Sequence, residues 1–177
     1  MRLIVFLLLS AGLVHAAIVD RVAIAIGYQA ITASQIDEEL RVTALLNHLP
    51  VAENANARRD AADRLIQQFL ITRETEVSHF PAPERADVDT YYQQIEQDFG
   101  GTPRLRQELQ KYKLDESVFR DHLSLQLTTL RFVEFRFRPE FAVSDSEVEQ
   151  RTDQALNIWL GQARRRFNIL YLDKSLR

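Results

Sequence analysis

Any chemistry in this 177-residue sequence has to come from four histidines, scattered carboxylates and a run of three arginines, because the chain contains no cysteine. That absence excludes disulfides, thiolate metal sites and cysteine nucleophiles, and with them a lipid-anchored cysteine. His15, His48, His79 and His122 stand far apart. None falls in an H-x-x-x-H or H-E-x-x-H arrangement, and none has a serine or carboxylate partner by spacing. They read as solvated or helix-end histidines. No glycine-rich phosphate loop is present, since Gly100-Gly101 stands alone and suits a helix stop. Asp37-Glu38-Glu39 and the pair Asp145 and Glu147 fall in first turns of expected helices, where the dipole favours negative charge. Arg164-Arg165-Arg166 is short for a nucleic-acid or lipid contact and suits the negative end of a helix. No catalytic, cofactor-binding or metal-ligating residue is selected.

What does stand out is apolar. The segment "VFRDHLSLQLTTLRFVEFRFRPEF" carries one helical stripe through Phe119, Leu123, Leu127, Leu130, Val133 and Phe137, while Leu125, Phe132 and Phe135 spread apolar character onto another face. Such a helix is either buried on several sides or leaves a patch uncovered. A buried aromatic side chain is worth roughly 1.5–3 kcal/mol, so exposing several is costly unless a partner covers them. One face is expected in the core. Leu125, Phe132 and Phe135, with the nearby Phe141, are expected to line a groove for apolar peptide segments. Serine at Phe132 and Phe135 is then expected to weaken binding and spare the fold.

The elements that position this helix follow from patterning. "MRLIVFLLLSAGLVHAA" has one arginine, an apolar run and small residues at Val14-His15-Ala16, which predicts a signal peptide over 1–16 with cleavage after Ala16. From Asp20 to Gly27, Val22, Ile24 and Ile26 alternate as in a half-buried strand, a turn is expected at Gly27-Tyr28-Gln29, and Ala30-Ile31 resumes extended chain. Thr32 with Gln35, and Ser34 with Asp37, are capping-box patterns for a first helix ending at Pro50. A second helix, rich in Leu65, Ile66, Phe69 and Leu70, is broken by Pro81 and Pro83; a third carries Val88, Tyr92, Ile95 and Phe99. Thr102 is the expected cap of a short helix with Pro103 at its first position. Asp115 caps the helix from about Glu116 to Phe137, and Ser144 with Glu147 opens the last, which Val143 and Val148 would staple. "FNILYL", Phe167 to Leu172, reads as a strand that returns to complete the first two.

Hydrophobic residues make up 46% and charged residues 27%, a globular composition. The formal charge of −3, or −4 without the leader, argues against a nucleic-acid partner.

"DRVAIAIGYQAITASQIDEEL" resembles the opening of the SurA-type periplasmic chaperones, where a strand, a short turn and "-IT-" lead into the first helix. "ARRDAADRLIQQFLITRETE" is similar to that family's second helix, "VSDSEVEQR" to its "V-[ST]-D-x-E" helix start, and "ALNIWLGQARRRFNIL" to its closing segment. The turn departs from the family, which usually has Asn-Gly or Asn-Asp where this chain has Gly27-Tyr28. Full-length members carry parvulin-type prolyl isomerase domains, and "VSDSEVEQRTDQ" runs here directly into "ALNIWLGQARRR" without one. The resemblance implies a mainly α fold: a multi-helix body (34–166) behind an N-terminal β-ribbon (17–33) that a C-terminal strand (167–172) closes, all in one domain over 17–177. It implies an ATP-independent periplasmic holdase, without a cofactor or stable membrane insertion. The expected partners are unfolded exported polypeptides, outer-membrane protein precursors among them. An envelope subunit docking one specific partner, a prolyl isomerase with an unrecognised site, and a homodimer formed by strand exchange stand beside it as alternatives.

Overall fold

The computed structural model describes residues 20–140 and 144–177. The expected leader, Phe141 and Val143 lie outside the described residues. Strand β1 (Val22–Ile26) turns at Gly27-Tyr28 into β2 (Gln29–Thr32), and β3 (Ile169–Tyr171) pairs antiparallel on the other side of β1, giving the order β2-β1-β3. The chain's last strand therefore completes the ribbon from within the same copy. Gly27 has φ +56 and Tyr28 does not share the positive angle. A two-residue hairpin turn that needs positive φ only at its first central position explains why glycine comes first here.

Six helices follow: α1 (Ala33–Leu46), α2 (Ala55–Val77), α3 (Arg85–Asp98), α4 (Thr102–Lys111), α5 (Glu116–Phe137) and α6 (Asp145–Arg166). Their starts are local. The Thr32 hydroxyl accepts from the Gln35 N–H while the Gln35 side-chain Oε1 accepts from the Thr32 N–H at 2.8 Å, a closed capping box. Asn54 Oδ1 and Ser144 Oγ accept from Ala57 and Glu147 N–H in the same way. The second expected box is not formed: Ser34 bonds Asp20 and Asp37 bonds Arg58. Two boundaries also move. α1 stops at Leu46, before Pro50, with His48 taking positive φ. Gly101 rather than Thr102 caps α4, because Gly101 at φ +106 serves both as the exit from α3 and as the entry to α4.

The core is bipartite. Ile24, Ile26 and Ile31 of the sheet pack on Ile66 and Leu70 of α2 and Leu160 of α6. A second cluster joins Leu45, Tyr92, Leu105, Leu109, Phe119 and Leu123. Helix α1 belongs to both, with Ile36 and Leu40 in the first and Val42, Ala44 and Leu45 in the second. The C-terminal tail fastens the sheet: Asp173, buried, pairs with Arg21 at 2.7 Å, Leu176 enters the first cluster, and Arg177 donates to the Tyr171 carbonyl at 2.8 Å. Among the described residues no helix is long and apolar enough to cross a membrane.

Candidate functional site

Helix α2 lies at the centre of three adjoining depressions. The first, about 710 Å³, runs between the β1–β2 turn and α2, with Tyr28, Phe69 and Phe167 on its walls. It shares Ile26, Gln29, Phe69 and Thr72 with a second of about 250 Å³, bordered by Ala30 and Ile31 of β2 and by Leu125 of α5. Gln68 then joins the second to a third, about 420 Å³, where the walls are faces of α1, α2 and α5. The spacing of these faces is helical: Glu39, Thr43 and Leu46 on α1; Arg64, Gln68 and Ile71 on α2; His122, Gln126 and Leu130 on α5. Together they form a track around α2 whose lining is mainly apolar side chains and side-chain amides. Two other depressions, near α4, are walled largely by charged side chains such as Asp98, Arg104, Glu108 and Lys111.

The four residues expected to line a groove are separated by the structure. Leu125 does line the track, half-buried. Phe135 is 76% exposed and its ring leans on Phe80 at 5.5 Å. Phe141 lies outside the described residues. Phe132 is a correction: it is 1% exposed and belongs to the interior. Phe80, from the proline-rich connection between α2 and α3, lies edge-on to it at 5.4 Å, and Phe137 does so at 6.3 Å. Arg136, paired with Glu74 at 3.4 Å, spreads its guanidinium across the Phe132 and Phe137 rings. Phe137 in turn meets Trp159 of α6 at 5.8 Å. Leu130, on the stripe expected in the core, is 54% exposed at the rim of the track.

Packing also builds a polar cluster that spacing did not reveal. Glu39 is 7% exposed, receives a hydrogen bond from Arg64 Nε at 2.6 Å and one from the Thr43 hydroxyl at 3.1 Å, and lies 3.8 Å from His122 Nδ1. Three helices meet at this carboxylate. One signal was present in the sequence: Glu39 sits beside Leu40 and three residues after Ile36, an acid on the face α1 buries. Burial holds the His122 pKa below its ordinary 6.5, against the pull of Glu39 and with the help of the Arg64 charge. The imidazole is therefore neutral in the folded protein at neutral pH. A group whose folded pKa lies below its unfolded value binds fewer protons when folded, so its contribution is complete above the unfolded value and is lost as pH falls from there through the folded value. Stability should decline as pH falls below about 6.5, where an unfolded histidine takes up a proton that the folded one still refuses. In His122→Gln the urea midpoint should change less below that pH; an identical pH dependence in that variant would exclude His122 as the source.

Among the described residues no three His, Asp or Glu side chains converge as a metal site. The cluster can fix helices and hold a neutral imidazole beside the track. No protein-family model matches the chain, and no curated protein matches it.

Proposed function

We propose that this protein binds extended, apolar polypeptide segments, as an ATP-independent chaperone module of the SurA type acting on unfolded exported proteins in the periplasm. The observation that carries this reading is the track around α2: three depressions in series, open to solvent, lined by Phe69, Phe167, Leu125 and Leu130 among side-chain amides. Apolar surface left uncovered in this way marks a binding site when it is contiguous, and a long shallow track suits an extended chain better than a compact ligand. The architecture supports the reading as well, since the ribbon, helical body and returning strand follow the order that the SurA-type segments imply. Outer-membrane β-barrel precursors, with alternating apolar side chains, have the chemistry the track would cover. An unfolded client loses conformational freedom when bound, so affinity is expected on the order of micromolar, which permits release without a nucleotide.

Fluorescence anisotropy of a labelled, unfolded segment from an outer-membrane protein tests the assignment of the surface. Each apolar contact contributes about 1 kcal/mol when covered, so the combined change Leu125→Ser and Leu130→Ser should weaken binding about tenfold or more. Unchanged affinity in a variant with an intact circular dichroism spectrum would remove the track from the binding surface.

A further inference from the structure

We propose that Gln126 reads the backbone of the bound segment: its side-chain amide pairs with a peptide group of an extended polypeptide lying in the third depression of the track. This rests on the polypeptide-binding reading and names how one part of the track recognises its ligand. Gln126 Oε1 is buried and accepts no hydrogen bond within the protein, although it lines a depression open to solvent. A buried acceptor without a donor is costly, and buried polar groups are nearly always paired. The Arg64 guanidinium and the Thr43 hydroxyl nearby do not supply the donor, because both are directed at Glu39.

The surroundings specify the missing partner. Asn47, Gln67 and Gln68 also face the depression, and each side-chain amide offers one acceptor and two donors, the complement of a peptide group. With Arg64 balanced by Glu39, the lining has no unmatched charge that would select an ion. Leu130 and Leu156 supply an apolar rim. On α5 the wall runs from His122 to Leu130, which at 1.5 Å per residue is about 12 Å, the length of roughly four residues of extended chain. Amides that hold the main chain and an apolar rim that accepts varied side chains together give binding that tolerates many sequences, as main-chain recognition does elsewhere. The occupant is thus an extended polypeptide with free backbone N–H groups.

A backbone N-methyl scan tests this. A short labelled peptide of alternating apolar and polar residues is compared with versions carrying one N-methyl group at each position in turn, each titrated into the protein and into Gln126→Leu. One hydrogen bond to a neutral group corresponds to about a three- to tenfold change in affinity. At one position, N-methylation should weaken binding to the unaltered protein by that factor. Gln126→Leu should weaken the unmethylated peptide by a similar factor and be indifferent to the methyl group at that position. Leu130→Ala serves as the control, weakening all peptides together and leaving the methyl pattern unchanged. Binding with a methyl pattern that Gln126→Leu does not alter overturns the role of Gln126 and leaves the polypeptide-binding reading standing. No binding of any peptide overturns both, and so does a dimer in sedimentation that Leu130→Ala dissociates, because a second copy would then occupy the depression.

Discussion

Phe132→Ala is expected to cost about 3–5 kcal/mol, the range for removing a fully buried aromatic ring, and to lower the melting temperature by about 10 °C. The ring is 1% exposed and is touched by Phe80, Phe137 and the Arg136 guanidinium, which come from two different parts of the chain. Its loss would leave a cavity that α5 cannot fill by itself, and Phe80 would lose the surface it packs on. Phe135→Ser, three residues along the same helix, should change stability by no more than about 0.5 kcal/mol, because that side chain is largely in solvent. The pair of variants, followed by thermal and urea unfolding, separates core from surface on one helix. Similar losses at both positions would mean that the end of α5 is covered on both faces.

The second large effect is expected at Arg64. Arg64→Met removes the hydrogen-bonded cation from a carboxylate that is 7% exposed, and stranding a buried charge costs about 3 kcal/mol or more. Because Arg64 is itself 41% exposed, Glu39→Gln should be milder, since the arginine left without its partner can turn to water. The double variant Glu39→Gln, Arg64→Met should recover much of the loss, as no buried charge then lacks a partner. A further consequence distinguishes this from simple packing. Arg64 helps to hold the His122 pKa down while Glu39 raises it, so in Arg64→Met the histidine should titrate at higher pH in NMR spectra. A loss below about 1 kcal/mol with an unmoved titration would place the pair among ordinary surface ion pairs.

The capping residues were legible because caps are local: Thr32 with Gln35, and Ser144, each bond within one turn, and Asp115 holds the N-cap position of α5 without a side-chain hydrogen bond. The returning strand was legible for a different reason, as "FNILYL" is the last apolar run and the ribbon needs a neighbour. The assignment of faces on α5 was not. Helical spacing groups Phe132 with residues on its own face, yet what covers that face is Phe80, placed by a connection between Pro81 and the end of α2 that has no periodicity to read. Leu130 went the other way, exposed although it lies on the stripe with Phe119 and Leu123, because that stripe leaves the second cluster halfway along the helix. The Glu39, Arg64 and His122 cluster escaped for the same reason: its members come from three helices and share no spacing.

The central claim is that the uncovered apolar track holds unfolded polypeptide, and the most direct measurement is aggregation. Urea-unfolded outer-membrane β-barrel protein is diluted into buffer with the purified protein, and light scattering is followed against an inert protein of similar size. Suppression at near-stoichiometric ratios is the predicted result, weakened by Leu125→Ser with Leu130→Ser. Scattering equal to that of the inert control at every ratio would contradict the account.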